Sequence, residues 1–335
     1  MEERRKLGPA GLVTSAVGYG CLGLTGGYGE IGADRAAALV NEALDHGVTL
    51  LDTADFYGGG SVEELLGRAL AGRRGDAVLA TRGGAVFSGP ARPTAFDGTP
   101  RHLRAACEAS LRRLRTDHID LYHLARVDPA VPVEESVGGL AELVAEGKIG
   151  HVGLCEVTAD QLRRAHAVHP VTAVAAEYSL WSRDVEDELL PAARELGVGF
   201  VACSPLGRGF LTGAVGPGAL RAGDYRRNHP RFAPENAARN RLLLAEAERV
   251  AARTGVPLGR LALAWVLAQG EDVVPIPGTT SSAHLAQNLA AVADRLGPAD
   301  AQRLADCFPA HAVAGSRLPQ RPSRPGPARP PEARA

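Results

Sequence analysis

Short apolar runs rich in β-branched residues alternate with amphipathic helical patterns along most of the chain. Between 100 and 115, for example, Leu103, Ala106 and Leu114 recur at helical spacing. The apolar runs predict strands that end near Cys21, Asp52, Arg82, Ala125, Cys155, Tyr178, Cys203 and Pro277. The helical patterns cover 34–46, 61–71, 100–115, 133–146, 158–167, 185–196, 240–254 and 281–292. Eight such units predict an α/β fold, a (β/α)8 TIM barrel, with a doubly wound sheet as the alternative.

Three additions to the barrel and a tail complete the predicted architecture. Residues 5–14 form a predicted hairpin around a Gly-Pro-Ala-Gly turn, residues 206–239 a long Gly-, Arg- and Pro-rich loop after the seventh strand, and residues 257–269 an extra apolar helix. Residues 316–335 are rich in Pro and Arg and are predicted to be disordered. The predicted domains are therefore a barrel over 1–315 and a tail over 316–335.

Composition narrows the classes of partner. The 335 residues are 45% hydrophobic, which suffices for a large core, and the net charge of -1 favours neither nucleic acid nor an anionic membrane as a partner. No apolar run reaches about 18 residues, so no transmembrane helix is expected. The 5 cysteines are scattered without a C-x-x-C pair, which is typical of the reducing cytoplasm. We expect a cytoplasmic protein with a small-molecule substrate and no metal; the oligomeric state stays open.

Chemistry-bearing residues follow the second strand, where 52–58 reads D-T-A-D-F-Y-G. Further motifs stand at 119–122 (I-D-L-Y), 128–129 (D-P), 146–149 (E-G-K-I), 177–183 (E-Y-S-L-W-S-R), 204–211 (S-P-L-G-R-G-F-L) and 275–279 (P-I-P-G-T). Together they resemble the motifs of the aldo-keto reductases over roughly residues 5–315. The resemblance implies NADPH-dependent carbonyl reduction with Tyr57 as general acid. In that family a Lys paired with the Asp lowers the pKa of the tyrosine, and a His orients the substrate carbonyl.

The catalytic positions depart from that pattern. Asp52 and Tyr57 are present, but Arg82 stands where the family has Lys, and it keeps the cation that can pair with Asp52. Ala125 stands at the His position. His123 lies two residues earlier on the same strand face, about 6.6 Å deeper, and is either a partial substitute or a barrel-core histidine. The predicted catalytic residues are therefore Tyr57, Asp52, Arg82 and His123.

The cofactor positions depart as well. Ala175 replaces the Gln that holds the carboxamide, Cys203 replaces the Tyr that stacks on the ring, and Cys155 replaces a Ser. The segment 278–284 lacks the Lys and Arg that neutralise the 2′-phosphate of NADPH. Losing two charge-assisted hydrogen bonds of about 1.5–3 kcal/mol each weakens binding by about two to four orders of magnitude. The expected cofactor is therefore none or weakly bound NAD(P)H. The remaining cofactor-binding candidates are Ser204, Leu206, Gly207, Gly209, Thr279, Gln287 and Asn288.

The departures concentrate on one ligand, whereas the surrounding motifs are nearly intact. The favoured interpretation is an enzyme of specialised metabolism that uses Tyr57 for non-redox acid–base chemistry on a carbonyl compound: dehydration, isomerisation or cyclisation. The first alternative is an NAD(P)H-dependent carbonyl or enone reductase with altered cofactor handling, and the second is a non-catalytic binding protein. The predicted substrate contacts are Tyr28, Glu156 and Trp181.

Overall fold

The structure, a computed structural model, describes residues 3–87, 93–215 and 220–317. Its strands, in chain order, are β1 (Arg4–Leu7), β2 (Leu12–Ser15), β3 (Tyr19–Gly20), β4 (Leu50–Asp52), β5 (Val78–Gly83), β6 (Ala85–Phe87), β7 (Pro93–Phe96), β8 (Ile119–Leu124), β9 (Ile149–Cys155), β10 (Val171–Glu177), β11 (Gly199–Cys203) and β12 (Val273–Pro275). The central sheet pairs eight of them in parallel, in the order β12-β11-β10-β9-β8-β5-β4-β3.

Hydrogen bonds between the first and last strands of this sheet close it into a barrel. The amide of Gly18 donates to the carbonyl oxygen of Pro275 at 2.9 Å, and that of Gly20 donates to Pro277 at 3.2 Å. A Cβ on Gly20 would lie 2.6 Å from the carbonyl oxygen of Ile276, so the closure needs glycine there. The predicted (β/α)8 barrel is confirmed, and the doubly wound alternative is excluded.

Helices surround the barrel close to their predicted positions. They are α1 (Ala33–Asp45), α2 (Ser61–Ala69), α3 (Pro100–Leu114), α4 (Val133–Ala145), α5 (Ala159–Val168), α6 (Leu189–Glu195), α7 (Pro234–Thr254), α8 (Leu258–Leu267), α9 (Ser282–Ala290) and α10 (Pro298–Asp306). Helix α6 is shorter than predicted because a separate 3₁₀ turn occupies Asp184–Glu186. Helix α7 begins at Pro234, inside the predicted long loop, with proline in its first turn, where a missing amide is tolerated.

The predicted N-terminal hairpin is present and closes the end of the barrel opposite the carboxyl ends of the strands. Strands β1 and β2 pair antiparallel, and the side chain of Leu7 joins the cluster that fills the barrel interior. A Cβ on Gly199 would lie 2.5 Å from Leu7, which shows how tightly the hairpin packs against β11. The same interior cluster contains Leu50, Ala80 and Leu121. Because side chains alternate along a strand, residues two further along β4, β5 and β8 also face inward.

Two described elements were not predicted. A short hairpin of β6 and β7 follows the third barrel strand, and helix α10 packs over α8, where the Trp265 indole donates to Ala301. The predicted tail is placed as far as Arg317, which forms ion pairs; residues 318–335 lie outside the described residues. No single described helix is long and apolar enough to cross a membrane; α7 and α8 meet that test only together, across a 92° bend.

Candidate active site

The carboxyl ends of β4 and β5 bring Asp52, Arg82 and Tyr57 together. Asp52 is the last residue of β4, Arg82 lies near the end of β5, and Tyr57 opens a 3₁₀ turn, Tyr57–Gly60, directly after β4. In parallel barrels this end of the barrel, the mouth, is the usual place of an active site. The convergence of these three side chains is as the sequence predicted.

Arg82 and Asp52 form a buried ion pair. One guanidinium nitrogen, Nη2, donates to both carboxylate oxygens of Asp52, while Nε donates to the carbonyl oxygen of Thr53 at 3.2 Å. The predicted pairing of Arg82 with Asp52 is therefore present, through one nitrogen rather than two. Burial raises the pKa of Asp52, and Arg82 opposes that rise. The third nitrogen, Nη1, points across the mouth to the Sγ of Cys203, 4.0 Å away. Nη1 is therefore the one nitrogen of Arg82 whose only partner among the described residues is the weak acceptor Sγ of Cys203.

Tyr57 lies beside this cation. Burial raises the pKa of its phenol above the usual value, and the Arg82 guanidinium opposes the rise. The phenol is therefore neutral at physiological pH. A neutral phenol donates a hydrogen bond to a carbonyl oxygen and becomes a proton donor when negative charge develops there.

His123 is in register with Arg82 on the neighbouring strand, faces the barrel interior and is fully buried. Neither ring nitrogen has a hydrogen-bond partner among the described residues. Burial, together with the Arg82 cation, lowers the pKa of His123 to about 3. A Cβ on Gly153, the partner of His123 on the neighbouring strand β9, would lie 2.3 Å from the ring, so glycine at this position makes room for it. His123 is a neutral interior side chain, and Ala125 leaves the mouth position above it without a polar group.

Beside Arg82 the floor of the mouth is apolar. Cys155, Ala175 and Ile276 belong to one buried cluster, and Cys203 packs against it. Burial raises the pKa of Cys203 to about 12, although Arg82 opposes this rise, so the group is a neutral thiol. The floor therefore offers little hydrogen bonding to a polar ring substituent.

The predicted phosphate-binding segment after β11 is a compact turn, with Ser204 in a left-handed conformation (φ 48°). The amides of Gly207 and Gly209 donate to the carbonyl oxygens of Ser204 and Leu206, at 2.8 and 3.0 Å. These two amides are therefore already used within the turn. Arg208, between them, forms a two-nitrogen pair with Glu177 at 2.7–2.8 Å.

A cation from a distant helix lies beside the segment that follows β12, and the local sequence does not predict it. Arg35 of α1 donates to the Oγ of Ser282 at 2.6 Å. Near it Thr279 accepts the amide of Ser281, Asn288 is buried, and Gln287 is exposed. The predicted absence of Lys and Arg holds for 278–284, but Arg35 reaches the same place from a distant helix.

A nicotinamide dinucleotide fits these residues unevenly. At the adenine end, Arg35, Gln287 and Asn288 offer polar groups. At the ring end, Ala125 and Ala175 carry no polar side-chain atom, and the carboxylate of Glu156 already holds another partner. The residues of the ring end do not fit the carboxamide of a nicotinamide.

Glu156 follows β9 in a left-handed conformation (φ 52°). Its carboxylate accepts two hydrogen bonds from Arg317, at 2.8 and 2.6 Å, and one from the amide of Glu177 at 2.9 Å. Burial alone raises the pKa of Glu156, but Arg317 outweighs burial, and the pKa stays below its usual value. Glu156 is thus an ionised carboxylate occupied by Arg317, and its role as a substrate contact stays a prediction.

Tyr28 meets the long loop across the mouth. Its hydroxyl lies 2.6 Å from that of Tyr225, the two rings pack edge to face, and the Arg226 guanidinium lies over the Tyr28 ring. Burial raises the pKa of Tyr28 well above its usual value. Tyr28 therefore helps to close one side of the mouth, and its role as a substrate contact stays a prediction.

Trp181 does not line the mouth. It is 1% exposed, stacks on Phe210 with ring centroids 4.0 Å apart, and lies beneath the Arg231 guanidinium. Residues of the long loop, Phe210 and Arg231, cover the indole, and the role of Trp181 as a substrate contact stays a prediction. Within the described ranges, no cluster of three or more His, Cys, Asp or Glu side chains is arranged to hold a metal ion.

The chain is similar to known proteins in both sequence and fold. The family model described as "Aldo/keto reductase family" matches residues 16–308. The chain is 43% identical over 314 residues to the probable aldo-keto reductase 1 of Glycine max, which covers 93% of this chain and 90% of that protein. It resembles the structure of a glycerol dehydrogenase from Gluconobacter oxydans, with TM-score 0.83 and 28% identity, covering 96% of this chain and 99% of that one. It also resembles an aldo/keto reductase from Klebsiella pneumoniae in complex with NADP and acetate, with TM-score 0.70 and 26% identity, covering 92% and 96% of the two chains.

Proposed function

Since this chain belongs to the aldo/keto reductase family, we propose that it is an enzyme that performs acid–base chemistry on a small carbonyl compound at the barrel mouth, without hydride transfer. One observation carries the proposal. The side chains that act on a carbonyl oxygen, Tyr57 and Arg82, are assembled and charged as that task requires, whereas the ring end of the cofactor cleft is apolar.

The proposed chemistry begins with two donors on one oxygen. The Tyr57 hydroxyl and the Nη1 of Arg82, whose partner in the structure is the weak acceptor Sγ of Cys203, hold the substrate carbonyl and stabilise the negative charge that develops when a neighbouring C–H bond breaks. Glu156, ionised at the mouth, is the assigned proton acceptor. Its carboxylate takes the carbon-bound proton, and Tyr57 passes a proton to the enolate oxygen. Dehydration, isomerisation and cyclisation all proceed from such an enol.

Hydrogen–deuterium exchange tests this step without knowledge of the final product. A panel of 1,3-dicarbonyl compounds and α-hydroxyketones is incubated with the protein in D₂O, without nicotinamide, and loss of the α-proton is followed by NMR. Tyr57→Phe is expected to slow enzyme-dependent exchange about a hundredfold. Tyr178→Phe is the matched control, because that hydroxyl bonds to Glu186 away from the mouth. Equal exchange by the Tyr57→Phe and wild-type proteins removes Tyr57 from the reaction.

A second function is an NAD(P)H-dependent carbonyl or enone reductase. Two observations favour it: Arg35 places a cation beside Ser282, and the relatives that match this chain are named as reductases or dehydrogenases. Calorimetric titration with NADPH and NADH separates the two proposals. Micromolar binding of either, with oxidation by a carbonyl compound, supports the reductase and overturns the non-redox assignment. Arg35→Gln is expected to weaken NADPH more than NADH if this function is correct.

The proposed setting is specialised metabolism in the cytoplasm, with a small molecule as the partner and neither nucleic acid nor membrane. The net charge of -1 supports the exclusion of polyanionic partners. The five cysteines are all free thiols, which supports a reducing compartment. Secretion into an oxidising compartment, detected by fractionation of the source cells, would contradict this.

A further inference from the structure

A side chain from the C-terminal segment lies in the mouth of the barrel. The Arg317 guanidinium donates both terminal nitrogens to the carboxylate of Glu156, and it also lies 3.7 Å from Glu177 and 3.8 Å from Asp184. The side chains of Arg317 and Glu156 remain 24% and 16% exposed. The pair is therefore partly open to solvent and can exchange.

The recess that receives this guanidinium is built without it. Glu156 is held by its own backbone conformation and by the amide of Glu177. Glu177 is fixed in turn by Arg208 and by the hydroxyl of Ser182 at 2.8 Å. Removal of Arg317 would leave these bonds in place, so a preorganised anionic recess would remain.

The segment before Arg317 is anchored independently. The buried side chain of Asn240 accepts the amide of Ala314 at 2.8 Å and donates to its carbonyl at 3.0 Å, and Arg231 donates to the carbonyl oxygen of Gly315. A Cβ on Gly315 would lie 2.9 Å from the backbone of Pro230 and Arg231, so this anchor is close-packed. Arg317 stands two residues beyond it and can leave while the anchor stays.

We propose that the Glu156 recess is a guanidinium-binding subsite and that Arg317 is its detachable internal ligand, so that the C-terminal segment gates the mouth. A small molecule carrying a guanidinium group competes with Arg317 for Glu156. The proposal concerns which group Glu156 holds and goes beyond the proposed reaction; a guanidinium bound there also withdraws Glu156 from the proposed proton transfer. Higher ionic strength favours the open state, since the pair is partly exposed.

Two truncations that differ by two residues test the gate. One chain ends at Arg317 and keeps the internal ligand; the other ends at Gly315 and keeps only the anchor. Agmatine is the probe, and its binding is measured by saturation-transfer NMR and calorimetry at low salt. The chain ending at Gly315 is expected to bind agmatine about tenfold tighter, or more, than the chain ending at Arg317, because it has no internal competitor. Glu156→Gln in the shorter chain is expected to abolish the gain.

The full-length Arg317→Gln variant removes the internal ligand without shortening the chain and is expected to show the same gain in agmatine affinity. Thermal unfolding establishes that each variant is folded. Equal agmatine affinity in the two truncations overturns the gate. A gain that survives Glu156→Gln overturns the assignment of the recess, and absence of agmatine binding in every folded variant overturns the subsite itself.

Discussion

The carboxyl group of Asp55 is buried behind the segment that carries Tyr57. It is 8% exposed, and its Oδ1 has no hydrogen-bond partner among the described residues. Burial raises the pKa of Asp55 to about 7; the carboxylate of Glu63 adds to the rise, and Arg113 opposes it. This group is therefore expected to make the stability of the fold depend on pH.

The direction and magnitude of this pH dependence follow from the linkage between proton binding and folding. Asp55 loses its proton near its usual value of 3.8 in the unfolded chain, but near 7 in the folded protein. Between these values the folded state holds the extra proton, so the free energy of unfolding falls as pH rises. A difference of about three pKa units at 1.36 kcal/mol each gives a loss of about 4 kcal/mol. This contribution is fully present below about pH 4 and is lost above about pH 7.

Urea unfolding across this range isolates the effect. Asp55→Asn keeps the shape of the side chain but cannot titrate, so the wild-type free energy of unfolding minus that of the variant should fall by about 4 kcal/mol from pH 4 to pH 8. Asp45→Asn, at an exposed position on α1, is the matched control and should show no such trend. A difference that is flat with pH would refute the reasoning. Glu63→Gln should shift the transition to lower pH, because it removes the neighbouring charge.

Further predictions concern the ion pair of Asp52 with Arg82, the catalytic positions, and the closure between the first and last strands of the barrel. Asp52→Asn leaves Arg82 buried without a counter-ion and should cost about 3–5 kcal/mol in thermal or urea unfolding. Arg82→Lys combined with Ala125→His should not confer NADPH-dependent reduction on a carbonyl panel, since the ring end stays apolar; activity would show an intact cleft. Gly278→Ala places a Cβ 2.5 Å from the Gly20 carbonyl oxygen and should cost about 1–3 kcal/mol, whereas Gly297→Ala, with open space around it, should change unfolding little.

Much of the fold follows from local patterns. Strands β4, β9 and β11 end where the sequence predicts, because buried parallel strands form short apolar runs that stop at the mouth. Helix α7 extends further towards the N-terminus than the apolar pattern predicts. Its buried positions, Asn240, Leu244, Ala247 and Ala251, begin at 240, so the first turns carry no periodic signal and were assigned to a loop.

The candidate site, too, is only partly predictable from the sequence. Asp52 and Tyr57 share one motif, and parallel strand order places Arg82 beside them, so their meeting is predictable. Arg35 and Ser282 are 247 residues apart, and Glu156 and Arg317 are 161 apart. Such contacts depend on how loops and termini return to the mouth, and no local spacing encodes them.

The side chains of Arg82 and Cys203 are in contact, so the space available to one depends on the size of the other. A lysine has one nitrogen with which to satisfy Asp52, whereas the guanidinium bonds to Asp52 and Thr53 and still extends Nη1 toward Cys203. That nitrogen needs the space that a small side chain leaves at 203, since a tyrosine there would meet it. Conversely, a small residue at position 203 beside a lysine at position 82 would leave an unfilled space at the base of the mouth. The two positions are therefore expected to be energetically coupled, so that Arg82→Lys or Cys203→Tyr alone should lower the free energy of unfolding more than the two changes combined.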